Sequence, residues 1–259
     1  MTAASAVVLR YDRLMSRTPL IVLFAVATLV SVACSAAAQH PIVRLDCGPN
    51  GEAFPLCGAS RAIGRDSVGV KWQRSYVAAE RAVEIAILPG STGEGYYGWS
   101  FEGLSAPPAG ATRVLRFRLK PIGPIQWGDW GAKFIILGDD SGDDADRVIS
   151  TMEMYEGKPH INIDKNIDGN YAFASLAPDE YTAIQMVIAP ADGDRYNFKV
   201  YRNGTLVSTS RAFRINPTGW REVGVGLYGQ FANGGAGVRY RFKDFELDDV
   251  YDPKYHLAR

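Results

Sequence analysis

The chain lacks an excess of charge of either sign. Its 259 residues include 28 basic and 28 acidic side chains, and the pI lies near 6.8. Proteins that bind nucleic acid normally carry an excess of Lys and Arg, so this balance argues against nucleic acid as a partner. Glycine and aromatic residues, in contrast, are plentiful, with 27 glycines, 13 tyrosines and 5 tryptophans. That composition favours strands and turns over long helices.

A hydrophobic run long enough for a membrane-spanning helix is also lacking. The apolar run at residues 20–30 is shorter than the roughly 20 residues that such a helix needs. Arginines precede this run and small residues follow it, a layout typical of a secretory signal peptide. We expect a signal peptide at residues 1–38, with a start at Met1 or Met15, which makes the mature protein periplasmic or secreted with no transmembrane segment. The alternative is a lipoprotein anchored at Cys34.

Cysteine is scarce, and only Cys47 and Cys57 remain once the signal peptide is removed. Export would place both thiols in an oxidising compartment, and the turn-forming residues between them favour a disulfide. A two-thiol metal site is the alternative, although no His or Cys partner lies nearby in the sequence. We divide the chain into the signal peptide, an N-terminal disulfide-linked segment at 39–64, a β-sandwich at 65–252 and a C-terminal tail at 253–259.

The sequence also lacks the alternating strand and helix segments of a parallel α/β fold. From residue 67 onward, turn signals separate short runs that either alternate apolar and polar residues or are rich in β-branched and aromatic residues. Asn203-Gly204 predicts a hairpin with a type I′ turn, since both residues tolerate a positive φ. About a dozen strands at this spacing predict an all-β sandwich or barrel.

Four elements occur in an order that resembles a known superfamily. VLRFRLK at 114–120 is followed by KFIILGD at 133–139, FKVYRNGTLVSTS at 198–210 and FKDFELDDVYD at 242–252. This order resembles the concanavalin A-like lectin/glucanase superfamily, including its laminin-G-like and polysaccharide lyase-like jelly rolls. The resemblance implies a two-sheet antiparallel β-sandwich whose concave sheet holds a sugar chain.

The segment at 114–120 alternates apolar residues with three cations. Alternate side chains of a strand point to opposite faces, so Arg116 and Arg118 should face away from the core. On the concave sheet they would line a groove, where guanidinium groups suit the carboxylates or sulfates of an acidic polysaccharide. Arg239 and Arg241 repeat the pattern. The alternative is a solvated face whose cations guard against aggregation.

Trp127 and Trp130 come soon after the cationic strand. Indole rings stack on sugar rings, so both are candidate glycan-binding residues. Burial against the sheet edge is the alternative for both.

The segment at 147–164 places polar residues on two neighbouring strands. Glu153 and Tyr155 share one face of the first strand, and His160 and Asn162 share one face of the second. A hairpin through residues 157–159 would bring these four side chains together. We therefore expect all four to contact the ligand.

No catalytic residue is assigned, but Glu153, Tyr155 and His160 are candidates. Retaining glucanases need two carboxylates about 5 Å apart on one face, whereas Glu153 and Glu156 should point to opposite faces. A polysaccharide lyase needs a cation to neutralise the uronate, a base and an acid. An arginine of the 114–120 strand, His160 and Tyr155 offer these groups.

An acidic loop at 138–146 is the candidate metal site. Asp139, Asp140 and Asp143 offer the oxygen ligands that Ca²⁺ prefers. A solvated acidic loop is the alternative, and no other cofactor is expected.

Together these patterns predict an exported protein that binds a polysaccharide, which the cationic strand suggests is acidic. One alternative is a polysaccharide lyase or glycoside hydrolase of the same fold, with a catalytic pair in a deep cleft. Another is a laminin-G-like surface adhesion module with a protein partner.

Overall fold

Antiparallel strands account for most of the chain that the computed structural model describes. The described residues are 42–45, 56–57, 60–65, 71–91, 93–101, 104, 108, 110–123, 132–138, 147–165, 171–216, 220–221, 223–231 and 237–256. Within them one turn of 3₁₀-helix, Ala78–Glu80, is the only helical segment. None of these ranges contains a helix with the length and hydropathy needed to cross a bilayer. The all-β prediction is confirmed.

Sheet 1 has ten strands among the described residues. They are β1 (Val43–Leu45), β2 (Leu56–Cys57), β4 (Trp72–Val77), β5 (Ala82–Ile87), β7 (Arg113–Pro121), β12 (Thr182–Pro190), β13 (Arg195–Arg202), β14 (Thr205–Thr209), β15 (Phe213–Arg214) and β17 (Val238–Asp248). The strand order is β14-β13-β12-β7-β17-β1-β2, with β15 beside β13. The first half of β17 also pairs with β5, which in turn pairs with β4.

Sheet 2 has seven strands among the described residues. They are β3 (Ser60–Arg65), β6 (Gly93–Phe101), β8 (Ala132–Leu137), β9 (Val148–Tyr155), β10 (Lys158–Lys165), β11 (Tyr171–Ser175) and β16 (Val223–Phe231). Their order is β11-β10-β9-β8-β16-β6-β3. The two antiparallel sheets pack as a sandwich, as predicted.

The core lies between the two sheets. The Phe134 ring of β8 packs edge-on against Phe117 of β7 and Tyr240 of β17, with ring centroids 5.0 and 5.4 Å apart. Aromatic pairs in this geometry add to the stabilisation from burial. Leu115 and Leu119 of β7 are buried in the same core. The charged residues that alternate with them must therefore lie on the outer face of sheet 1.

The predicted hairpin at Asn203-Gly204 joins β13 to β14. Both residues have a positive φ, 49° and 81°, as a type I′ turn requires. This hairpin prediction is confirmed.

A second hairpin joins β9 to β10 and is also confirmed. Its turn residues are Glu156 and Gly157, with φ of 50° and 74°. The turn lies one residue earlier than predicted, because Lys158 already pairs with Tyr155.

Most of the N-terminal predictions lie outside the described residues. This holds for the signal peptide at 1–38, for Cys34 and for Cys47, so the disulfide with Cys57 stays a prediction. Strand β1 pairs with β17, β2 with β1, and β3 with β6. The sandwich therefore begins before residue 65, since the segment at 39–64 supplies strands to both sheets.

Candidate functional site

Arg116 lies on the outer face of sheet 1 but is buried there, with 3% of its surface exposed. Its Nε donates to Gln185 Oε1 at 3.1 Å, and its Nη1 contacts the carboxylates of Glu246 and Asp248 at 3.2 and 2.8 Å. Its Nη2 donates to the carbonyl of Val250. All three guanidinium nitrogens are engaged inside the protein, which leaves none of them available to a ligand.

A segment at the end of the described chain covers this part of sheet 1. We call residues 249–256 the C-terminal strap. Arg118 pairs with Asp244 at 3.2 Å and donates to the carbonyl of Tyr255 at 3.3 Å, while the Tyr255 hydroxyl donates to the carbonyl of Asp244 at 2.9 Å. Burial and the charge of Asp244 raise the pKa of Tyr255, so its hydroxyl stays a proton donor. The strap closes the surface that the sequence suggests is an open groove.

The predicted ligand residues lie on opposite faces of the sandwich. Arg116 and Arg118 project from the outer face of sheet 1, whereas the polar and aromatic residues predicted on β9 and β10 belong to sheet 2. A single groove that combines both sets is therefore wrong. For the same reason, neither arginine can neutralise a uronate bound beside His160.

The outer face of sheet 2 brings the residues of the second set together. His160 of β10 lies opposite Glu153, and Asn162 lies opposite Thr151. On its other side β10 pairs with β11, where Phe173 lies opposite Asn162. We call this surface the β9–β11 face; its members are Thr151, Glu153, Tyr155, His160, Asn162 and Phe173.

Hydrogen bonds fix the amide of Asn162. Its Nδ2 donates to Glu153 Oε1 at 3.0 Å, and its Oδ1 accepts the backbone N–H of Thr151 at 3.1 Å. These two contacts determine which end of the amide faces the carboxylate. Because Asn162 is buried and Glu153 only half-buried, the carboxylate is held at the surface in a defined position. A carboxylate presented in this way can accept hydrogen bonds from ligand hydroxyl groups.

The ring of His160 lies between two aromatic side chains. Its centroid is 5.6 Å from that of Tyr155, at an interplanar angle of 86°, and 5.9 Å from that of Phe173. His160 Nδ1 lies 3.0 Å from the carbonyl oxygen of Lys158. Since a carbonyl only accepts, Nδ1 must carry the proton, and Nε2 holds the lone pair of the neutral ring. The neutral ring therefore keeps one hydrogen-bond acceptor, Nε2, on a residue that is 9% exposed.

The two flanking aromatic side chains are unusually accessible. Tyr155 is 55% exposed and Phe173 is 41% exposed. Exposed rings beside fixed polar groups can contact a ligand that combines an apolar face with hydroxyl groups, as a sugar ring does.

Phe173 is missing from the sites predicted by the sequence. Its strand reads Tyr-Ala-Phe-Ala-Ser, with the small residues Ala172 and Ala174 buried. The alternation of aromatic residues with alanine is the signal that would have placed Phe173 on the outer face.

Two sets of predicted ligand residues lie outside the described part of the chain. Trp127 and Trp130 lie outside the described residues, as do the candidate calcium ligands Asp139, Asp140 and Asp143. Among the residues that are described, no group of three or more His, Cys, Asp or Glu side chains is placed to hold a metal. Glu156, which the sequence predicts not to pair with Glu153, lies in the β9–β10 turn, directly after the strand that carries Glu153.

Comparisons with known proteins show the fold class alone. No protein-family profile matches the chain, and no curated protein matches it. Among solved structures, a mutant of HCR/D has a TM-score of 0.53 at 10% identity, covering 83% of this chain and 50% of that one. The botulinum neurotoxin type G receptor binding domain has a TM-score of 0.49 at 11% identity, with 83% and 49% coverage. This chain spans about half the length of both.

A third solved structure is covered over most of its length. The endo-beta-1,4-glucuronan lyase from the fungus Trichoderma reesei has a TM-score of 0.49 at 12% identity, with 73% of this chain and 90% of that chain covered. At such identities, structural similarity extends to the β-sandwich architecture and not to the chemistry of a site.

Proposed function

We propose that this protein binds carbohydrate on the β9–β11 face. The observation that carries the proposal is the pair of exposed rings, Tyr155 and Phe173, on either side of His160 and next to the Glu153–Asn162 hydrogen bond. The rings offer stacking surfaces for sugars, and Glu153 and His160 offer acceptors for hydroxyl groups. We further propose that the chain is a concanavalin A-like jelly roll, exported to the periplasm or secreted.

Screening the protein on a glycan array tests this proposal directly. We expect retention of at least one oligosaccharide class, and loss of that signal in Glu153→Gln, which removes the charge but keeps the side-chain size. Glu180→Gln is the matched control, since Glu180 is exposed and lies outside the β9–β11 face. Failure to retain any glycan would contradict the proposal and favour a laminin-G-like module with a protein partner.

A polysaccharide lyase is the second candidate function. The supporting observation is the Nε2 lone pair of His160, which can take the proton at C5 of a uronate, next to Tyr155, whose phenol can supply one to the leaving oxygen. The cation that neutralises the uronate must come from sheet 2, and Lys133 of β8 lies opposite Thr151 in the register.

Ultraviolet absorbance separates the two candidates. A lyase converts an acidic glycan into a product with an unsaturated uronate, and the absorbance should rise with the wild type but not with His160→Gln. Binding without new absorbance and without new reducing ends would identify a binding module. New reducing ends alone would indicate a glycoside hydrolase.

A further inference from the structure

Two pairs of like charges face each other on the outer surface of sheet 1. In the register of β7 with β17, Lys120 lies opposite Arg241 and Arg118 lies opposite Lys243. Side chains at directly opposed positions are about 5 Å apart at Cβ, and like charges there destabilise a sheet. Positions that break a local rule in this way are candidates for function.

The carboxylates nearby are shared among several cations. Glu80 Oε1 contacts Lys120 Nζ at 3.1 Å and Arg241 Nη1 at 2.6 Å. Glu84 pairs with Arg241 at 2.8 Å and with Arg239 at 3.4 Å. Lys243 Nζ donates to the backbone carbonyl of Glu80 at 3.3 Å.

We call this cluster the basic patch; it consists of Lys120, Arg239, Arg241 and Lys243 with Glu80, Glu84 and Tyr181. Its four cations and two carboxylates leave a formal excess of two positive charges.

Tyr181 holds the centre of the basic patch in place. Its hydroxyl donates to Glu80 Oε2 at 2.7 Å. The ammonium groups of Lys243 and Lys120 lie 4.4 and 5.3 Å from the centroid of its ring, within the range of cation–π attraction. The lysines are therefore positioned before any ligand binds, which lowers the entropic cost of binding.

The patch is partly exposed to solvent, whereas the neighbouring Arg116 is buried. The side chains of Arg239, Arg241 and Lys120 are 47%, 22% and 17% exposed. The C-terminal strap contacts Arg116 and Arg118 through backbone carbonyls, and no such contact reaches the described cations of the basic patch.

We propose that the basic patch is a second binding site, for an acidic polysaccharide. Arginine forks bind carboxylate and sulfate groups through paired hydrogen bonds, and the two lysines add point charges. A net excess of two charges is small against the roughly six to ten phosphate contacts of a nucleic acid-binding protein whose affinity depends steeply on salt. Carboxylates spaced along a sugar chain match it better. The site lies on the opposite face of the sandwich from the β9–β11 face and is independent of the function proposed there.

Titration with polygalacturonate and with dextran sulfate, at low and at high salt, tests the proposal. Neutral dextran is the reference polymer. We expect both acidic polymers to bind at low salt and to be released at high salt. The double variant Arg239→Gln, Lys243→Gln should bind about tenfold more weakly. Arg214→Gln removes a more exposed ion pair, with Asp194, on β15 beside β13, which two strands separate from β17, and should leave affinity unchanged.

Glu80→Gln gives a test in the opposite direction. Loss of this carboxylate frees Lys120 and Arg241 for the polymer, so affinity should rise even though the fold loses an ion-pair partner. The proposal is overturned if neither acidic polymer binds, if Arg214→Gln weakens binding as much as the double variant, or if duplex DNA binds as tightly as polygalacturonate. Variants of the β9–β11 face should leave this binding intact.

Discussion

Arg116 is stabilised by two buried carboxylates, and they in turn depend on it. Glu246 and Asp248 are both almost inaccessible, and each lies within 3.2 Å of Arg116 Nη1. Removing one member of a buried ion pair leaves an uncompensated charge in a low-dielectric environment, which costs far more than the loss of an exposed pair.

We therefore predict that Arg116→Met lowers the free energy of unfolding by about 3–5 kcal/mol. Urea denaturation measures the change, with Arg214→Met as the control, because the Arg214–Asp194 pair is solvent-exposed. Combining Arg116→Met with Glu246→Gln and Asp248→Asn should recover much of the loss. A loss no larger than that of Arg214→Met would show that Arg116 is not a structural residue.

The lowered pKa of Glu80 predicts that the contribution of this single residue to the free energy of unfolding depends on pH. Burial acts to raise this pKa, but hydrogen bonds from Tyr181 and Lys120 and the charges of Arg241 and Lys120 outweigh it and hold the pKa below its ordinary value of 4.5. A carboxyl with a lowered pKa stabilises the fold above its unfolded-state value, and the stabilisation is lost as the pH falls through the folded-state value.

Glu80→Gln should accordingly destabilise the protein at neutral pH, by about 1 kcal/mol for a half-buried network. The difference from the wild type should shrink as the pH falls below 4.5. Urea unfolding across this range measures it, with Glu180→Gln as the charge-matched control. A difference that stays constant down to the acid transition would contradict the assigned ion pairs.

At the scale of elements, the β13–β14 hairpin supports the C-terminal strap. Gly204 in the turn packs directly under the ring of His256, and a Cβ on this glycine would overlap the ring. Near the other end of the strap, Tyr251 stacks on Tyr201 of β13, with ring centroids 4.6 Å apart. The strap is thus held by both the strand and its turn.

Gly204→Ala should therefore cost more stability than a glycine substitution that only strains the backbone. Gly193→Ala is the matched control, because Gly193 also has a positive φ, 66°, yet no atom lies within 4 Å of the added methyl group. We expect a loss of about 1–2 kcal/mol for the control from the strained φ, and a larger loss for Gly204→Ala. Adding His256→Ala to Gly204→Ala should raise the free energy of unfolding to that of Gly193→Ala. No recovery would contradict the contact between Gly204 and His256.

Strand alternation could be read from the sequence, whereas strand partners could not. The apolar and charged faces of β7, the Asn203-Gly204 turn and the pairing of β9 with β10 are local patterns, and all are found in the structure. The pairing of Arg116 with Glu246 and Asp248 spans 130 and 132 positions. Alternation indicates that a residue faces outward, but it does not indicate which sheet the residue belongs to. For this reason the site predicted from the sequence combines residues that lie on opposite faces of the sandwich.

At the scale of the molecule, the sandwich presents two surfaces of different chemistry. The β9–β11 face combines exposed rings with hydrogen-bonding groups, and the basic patch on sheet 1 has an excess of cations. The hydrophobic core separates them, so substitutions on one face should not alter binding on the other. A long glycan with both neutral and acidic regions could engage both faces of one molecule only by wrapping around a sheet edge.

Carbohydrate binding at the β9–β11 face is tested most directly by a double variant, Tyr155→Ala with Phe173→Ala. The measurement is its affinity for the glycan that the array retains most strongly. Calorimetry should show binding at least tenfold weaker than in the wild type, because both stacking surfaces are lost. Leu206→Ala, which truncates a comparably exposed apolar side chain on β14 of the other sheet, should bind like the wild type. Undiminished affinity in the double variant, or an equal loss in Leu206→Ala, would contradict carbohydrate binding at the β9–β11 face.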